Sequence, residues 1–410
     1  MVPETAMFSR ERLAGYEPEV LGRSVALVVG AGALGQNVIQ NLALSGVGEI
    51  RVVDKDIFES HNLTRSPAYP LLDEQEFLGL EKASAVARKL SRLMTAQNPV
   101  MRYAHSWIQE LGDGAFKDVS IVMACVDTSS GRAYLSEKSR LHGIPYVEGG
   151  FEAEEVTLNC FPAACGEKAK TEPCWHCSHG IAAGASSCTI YAARAEAAGF
   201  IPAIQNAAAA LAALQSEAAI IALHDREPEA AEAYALDLNI RSGRSRRIKL
   251  ATDPQCPGLH RSLEGEPIKL PTYDDDSVEQ LLKEIGKHFD RAPTILLQCP
   301  LVWTAACARC FEVVPVRKPD WMWIMDPLCA SCREEQSDVD RPADAVDLPV
   351  TYTQLSFDMN DEVLNATCRQ VGIPALCLVE AFADERPSKY FELAGSIDHL
   401  FKLGDYYDRK

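Results

Sequence analysis

The sequence predicts an α/β fold: a doubly wound, mostly parallel sheet followed by a C-terminal α+β domain that contains a zinc ribbon. Three observations predict it. From Ser24 to about Val147, short apolar strands alternate with helical patterns, the rhythm that produces parallel sheets. A glycine-rich turn, Gly30-x-Gly32-x-x-Gly35, follows the first strand and opens the first helix. In the last third of the chain, two C-x-x-C pairs stand at ribbon spacing.

Taken in order, residues 1–20 form a polar lead-in. The strands are expected at Val25–Val29, Ile50–Val53, Val100–Ala104, Val119–Ala124 and Pro145–Val147, with helices such as "EKASAVARKLSRLM" between them. After Gly150 the rhythm changes. "EEVTLNCFP" reads as a strand, and "GEKAKTEPCWHCSHGIAAGASSC" as a long irregular loop with metal-ligand spacing. The stretch Phe200–Leu223 is Ala-rich and broken by Gln205, Asn206, Gln215 and Glu217, so it reads as a buried or interface helix rather than a membrane span. A hairpin turning near Ser242-Gly243 follows. "EGEPIKLPTYDDDSVE" reads as a linker, which divides the chain into domains 1–265 and 266–410. In the second, "APTILLQCPLVW" is expected as a strand, "EVLNATCRQVG" as a helix stopped by Gly372, and "SKYFELAG" as another strand.

The chain has 410 residues and a net charge of −18. That balance excludes the basic footprint of a nucleic-acid binder and reads chiefly as a solubility device. The opening "MVPETAMFSRERL" has neither the apolar core nor the cleavage pattern of a signal peptide. Fourteen cysteines include three C-x-x-C pairs: Cys174/Cys177, Cys307/Cys310 and Cys329/Cys332. Such pairs in a long chain point to metal binding in a reducing compartment, so a cytoplasmic location is expected.

The glycine loop with Asp54 at the end of the second strand suits the phosphates and ribose of either NAD or ATP. Residues downstream favour ATP. "KDIFESHNLTRS" places Asp56, Asn62 and Arg65 in one loop past the second strand. "GLEKAS" puts Lys82 at the start of the next helix, and "ACVDTSSGR" puts Asp127 and Arg132 at a later strand end. A triphosphate needs such donors and a carboxylate for Mg²⁺. A nicotinamide site needs an apolar slot with a proton-transfer residue, and no such set is evident. Singly, Arg65 or Lys82 would be a surface charge and Asp127 a helix cap.

Over about residues 7–262 this constellation resembles the ThiF/MoeB and ubiquitin-activating enzyme superfamily. The resemblance rests on "FSRE", "GAGALG", "VVDKD", "NLTR", "GLEK", "CVDTSSGR" and "PCWHC" in that family's order and spacing. It implies a Rossmann-like adenylation domain that binds ATP and Mg²⁺ together with the C-terminal glycine of a ubiquitin-like or sulfur-carrier protein. By that resemblance Asp54 binds the ribose, Asn62, Arg65 and Lys82 contact the phosphates, and Asp127 serves the metal. Arg10 matches the arginine that family members insert into the neighbouring subunit's site, which implies a homodimer. Glu11 stands where the common pattern has Gln.

Cys307, Cys310, Cys329 and Cys332 are expected to enclose a closed, structural Zn²⁺. Cys174 and Cys177 need two more ligands, which the family brings from a second cysteine pair. Here Cys256 is present, but Leu259 sits where the other cysteine would fall, so His260 is assigned in its place, with His176 and His179 as the other candidates. Cys188 lies where ubiquitin-activating relatives often place the thioester-forming cysteine. A small buried thiol is its bland alternative. Trp321 and Trp323, between the ribbon's two cysteine pairs, are expected to pack over its small core.

The resemblance therefore implies adenylation of a carrier glycine, a thioester on Cys188, and transfer to a conjugating enzyme, with the C-terminal domain recruiting a partner. Competing readings are adenylation for sulfur transfer without a thioester, adenylation of a short peptide in natural-product maturation, a catalytically silent zinc-stabilised module, and an NAD-dependent dehydrogenase.

Overall fold

The computed structural model describes residues 7–68, 79–179, 203–224, 232–325, 329, 331–332, 350–384 and 387–404. The chain divides into two compact units, Met1–Gln109 with Ala115–Glu264 and Phe401–Lys410, and Glu110–Gly114 with Gly265–Leu400. The strands of the first unit are β1 (Val25–Val29), β2 (Glu49–Val53), β3 (Val100–Ala104), β4 (Ile121–Ala124), β5 (Tyr146–Glu152), β6 (Glu155–Phe161), β7 (Tyr234–Asn239) and β8 (Ser245–Lys249). Those of the second are β9 (Ile268–Lys269), β10 (Thr294–Ala306), β11 (Val313–Pro319), β12 (Val350–Leu355), β13 (Leu378–Phe382) and β14 (Lys389–Glu392). The last strand, β15 (Lys402–Leu403), belongs to the first unit.

In the first unit nine strands run in the order β15-β3-β2-β1-β4-β5-β6-β7-β8. The β3-β2-β1-β4-β5 stretch is parallel, and β6, β7 and β8 continue it antiparallel. The parallel core is the one the alternating pattern predicts. Its central strand, VALVV, is buried from Ala26 onward, as a strand covered on both faces must be. The Ala33–Leu44 helix lays Leu34, Val38, Ile39 and Leu42 into this core. The Gln205–His224 helix adds Ala207, Leu211, Ala212 and Ala219. It is long and apolar enough to cross a membrane, yet those side chains are packed in the interior of the first unit.

Two glycines set the geometry of the first turn. Gly30 has φ +98°, and a Cβ there would lie 2.5 Å from Cys125 O. A Cβ on Gly35 would lie 1.8 Å from Gly30 O, so this glycine lets the helix close onto its own entry loop.

The second unit is a six-stranded sheet centred on β10, with β12 also paired to it. The Val278–Gly286 helix buries Val278, Leu281, Leu282 and Ile285 among Ile295, Trp303, Val379 and Phe391. Two expectations are corrected here. The stretch read as a linker is built into this unit: Ile268 and Lys269 pair with β14. Asp274 accepts from Arg369 and from the Ala375 N–H, and Ser277 forms a capping box with Gln280. The helix expected up to Gly372 runs only over Asp361–Asn365. Ala366 turns extended because its carbonyl accepts from Val278 N at 2.9 Å and Thr367 bridges to Ser277. A local helical preference thus yields to tertiary pairing.

Gly35→Ala should cost at least about 1–3 kcal/mol, the usual penalty of overpacking, because its neighbour is backbone and cannot rotate away. Gly32→Ala, whose Cβ would meet nothing within 4 Å, should leave stability unchanged. Urea unfolding of the two variants side by side checks the contrast.

Candidate active site

The carboxyl ends of β1 to β4, together with β5, surround a cavity of about 600 Å³. Gly30, Gly32, Asp54, Asp56, Asn62, Arg65, Lys82 and Asp127 all line it. The sheet brings them together because the loops leaving parallel strands emerge at one end. Gly30 N donates to Val53 O at 2.8 Å and Cys125 N to Val29 O at 2.8 Å, so the three central strand ends are bonded side by side.

Asp54 organises the floor. Its Oδ2 accepts from Ala31 N at 2.6 Å and its Oδ1 from Asp56 N at 2.7 Å. One carboxylate thereby joins the glycine loop to the loop after β2. Burial pushes its pKa up, against the pull of those two N–H donors. Asp56 behaves oppositely. Partial burial raises it, but the Lys55 and Lys82 ammonium groups, at 2.6 and 3.2 Å, outweigh burial and hold the carboxyl below its ordinary value. Lys82 N also donates to Asp56 O at 2.9 Å, which fixes the start of the Lys82–Leu90 helix against this loop.

Asn62 is buried by a reciprocal cap. Its side-chain Oδ1 accepts from Glu59 N at 3.0 Å while its own N–H donates to the Glu59 side chain. This short 3₁₀ turn, Ser60–Arg65, ends on Arg65 at the cavity wall. Asp127 is exposed in the cavity, and the cap of the next helix is Thr128, which accepts from Gly131 N at 3.3 Å. Asp127 is thus not consumed as a helix cap.

One lining residue not singled out from sequence is Trp107. Just past β3, it presents its ring 4.5 Å from the Lys55 ammonium. Only its position after a strand end could have signalled it. On the other side of the cavity Arg132 pairs with Glu148, a fully buried carboxylate that also accepts from Asn159 Nδ2. Gly150 leaves room for that guanidinium: a Cβ there would lie 3.1 Å from Nη2.

Two sequence-based candidates stand elsewhere. Gly35 does not line the cavity; it packs the helix onto the loop. Arg10 is exposed on the Ser9–Leu13 helix and does not line this chain's cavity. The segment after it is anchored on the long helix through Tyr16 to Glu217 and through Glu17 N to His224 Nε2 at 2.8 Å. Cys188 lies outside the described residues.

Two clusters could hold a metal. Cys174, Cys177, Cys256 and His260 bring their ligand atoms within 4.8 Å of one another, as do Cys307, Cys310, Cys329 and Cys332. The measured edges are 3.8 Å for Cys174–Cys177, 3.5 Å for Cys174–Cys256 and 3.4 Å from Cys177 to His260 Nε2. A tetrahedron of thiolates around Zn²⁺ has edges of roughly 3.8 Å, so the donor set fits that ion. The histidine in the first cluster is His260. Burial, Arg140 and His176 keep His260 below its ordinary pKa, which favours the neutral form a metal needs. In the second cluster burial opposes ionisation of Cys307, but the Cys310, Cys329 and Arg309 N–H groups hold its thiol down at about 6.

Residues 10–258 match the ThiF family. The chain belongs to that family. Among similar proteins are "Adenylyltransferase and sulfurtransferase uba4" of Aspergillus fumigatus, 34% identical over 37% of this chain and 30% of that protein. Another is "SAMP-activating enzyme E1" of Haloferax volcanii, 35% identical over 34% of this chain and 53% of that one. "Sulfur carrier protein ThiS adenylyltransferase" of Bacillus subtilis is 28% identical over 42% and 50%. The matches thus span between about a third and about half of these relatives' lengths. A crystal structure of E. coli MccB with ATP aligns at 18% identity and TM-score 0.48, over 63% of this chain and 74% of that one.

For this ThiF-family chain, metal analysis of the purified protein should find two zinc ions. Cys256→Ser and His260→Ala should each lower the count to about one, leaving the second cluster loaded. Two zincs retained by His260→Ala would show that another side chain completes the first cluster.

Proposed function

We propose that the chain is an ATP-dependent adenylyltransferase that activates the C-terminal glycine of a ubiquitin-like or sulfur-carrier protein. The observation that carries this is a cavity in which a glycine loop, three acids and the cations Arg65 and Lys82 converge at successive strand ends. The names of similar proteins, adenylyltransferases and activating enzymes, support it.

In this reading Asp54 receives the ribose hydroxyls with its remaining lone pairs. Gly32, open on the cavity side, allows phosphate oxygens to approach the loop backbone. Asn62, Arg65 and Lys82 bind the phosphates. Asp127 would hold Mg²⁺, which neutralises phosphate charge when bound. Trp107 provides an apolar ring at the far strand end. A glycine carboxylate oxygen attacks the α-phosphorus, the bond to the β-phosphate bridging oxygen breaks, and pyrophosphate leaves with the electron pair. The products are an acyl-adenylate and pyrophosphate. The protein supplies position and charge, and no proton need move.

A thioester follows if Cys188 attacks the acyl carbon as thiolate and expels AMP. Relatives named both adenylyltransferase and sulfurtransferase support the other fate, in which sulfur displaces AMP. Further proposals are a homodimer, in which Arg10 enters the partner's cavity, hand-off to a conjugating enzyme, recruitment by the second unit, and a cytoplasmic location.

Titration calorimetry of the full chain should show Mg·ATP binding and no NAD binding at equal concentration. Lys82→Met should weaken ATP about tenfold or more, at least about 1.4 kcal/mol. Preferential binding of NAD would sink the assignment. ATP–pyrophosphate exchange with candidate glycine-ending carriers tests the reaction. On non-reducing gels, a carrier adduct that persists in Cys188→Ala would remove Cys188 from the mechanism.

A further inference from the structure

Arg140 lies in the Ser129–Leu141 helix and is 6% exposed. A guanidinium keeps its charge in proteins and carries five N–H donors, so burying one is costly unless acceptors and negative charge surround it. Its Nη1 donates to Ala169 O at 2.7 Å and its Nη2 to Pro173 O, both neutral carbonyls. Its Nε is buried with no partner. Among the described residues the side chain makes no ion pair with a carboxylate. The groups that act on its charge are the Cys174, Cys177 and Cys256 sulfurs and, without direct contact, Glu172. Pro173 immediately precedes Cys174, so the bond from Nη2 sets the buried guanidinium beside the cluster that carries three thiolates when it holds zinc.

Three thiolates, one neutral imidazole and Zn²⁺ sum to a charge of −1 (−3 + 2), which one buried cation balances. We propose that Arg140 is the counter-cation of the first zinc centre, a positioning residue that stabilises the thiolate cluster by charge and holds Pro173, the residue before Cys174, by a hydrogen bond. This rests on the reading that Cys174, Cys177, Cys256 and His260 hold zinc. Zinc and Arg140 are then mutually dependent. The metal supplies the anionic cluster that Arg140 needs, and Arg140 lowers the cost of assembling it.

The experiment uses the full chain, with zinc content by mass spectrometry and zinc release followed with the chromogenic chelator 4-(2-pyridylazo)resorcinol. The Cys307/Cys310/Cys329/Cys332 centre serves as internal reference. Arg140→Met should release zinc from the first centre roughly ten- to a hundredfold faster than wild type, the range typical of outer-shell partners. The second centre should be unchanged, and Arg140→Lys, which keeps the charge, should stay close to wild type. After chelation the difference in melting temperature between Arg140→Met and wild type should shrink. Equal release rates, or a melting temperature lowered equally with and without zinc, would reduce Arg140 to a packing residue. If Arg140→Met does not fold, Arg140→Gln against Arg140→Lys makes the same comparison. A wild-type zinc count that Cys256→Ser leaves unaltered would overturn the zinc reading itself, an outcome distinct from loss of the arginine's role.

Discussion

Two backbone N–H groups donating to one buried carboxylate hold the cavity together. Asp54 receives Ala31 N from the glycine loop and Asp56 N from the loop after β2. It ties the two loops directly, beside the ladder bond from Gly30 N to Val53 O, while Lys82 N on Asp56 O holds the second loop against the Lys82–Leu90 helix. The strands supply a rigid frame, but frames end in loops, and here a single side chain joins two of them. The cost is a carboxyl whose pKa burial has raised, the kind of tension that polar sites in a core carry.

The parallel core and most of the cavity were legible in the sequence because their signals are local. Strand and helix periodicity, the glycine loop and the strand-end polar residues lie within short windows. What escaped was long-range. Trp107 is a lone aromatic in sequence and becomes a wall of the cavity only when β3 is set beside β2. Glu148 sits mid-strand in β5 and reads as an ordinary acid until Arg132 and Asn159 close on it. The acidic stretch around Asp274 has the composition of a linker, yet Arg369 and Ala375, about a hundred residues on, tie it down. The helix after Asn360 shows the same lesson in reverse, since a good helical pattern stops where Val278 takes the carbonyl of Ala366.

The cysteines lie between these extremes. C-x-x-C knuckles announce themselves, because two ligands of one ion lie a turn apart. The first cluster was harder, since one of its four members is a histidine at the wrong spacing for a knuckle. Proximity groups His260 with the cysteines: its Nε2 lies 3.4 Å from Cys177, whereas His176 contacts Glu137 and His179 stacks on Trp175. Spacing along the chain is a proxy for closeness, and a loop such as 250–260 can reach the same point by a different path.

The final strand carries a consequence for biosynthesis. β15 adds its two residues to the outer edge of β3, Phe401 is buried, and Gly404 N donates to Met101 O at 2.8 Å. Residues 110–114 meanwhile belong to the second unit, with Asp113 accepting from Gln298 and Leu378 N. A ribosome that has translated strands β1 to β8 has therefore still not made the piece that pairs with the outer edge of their sheet. During that interval the outer edge of β3 lacks its partner, the kind of open edge on which another chain can pair.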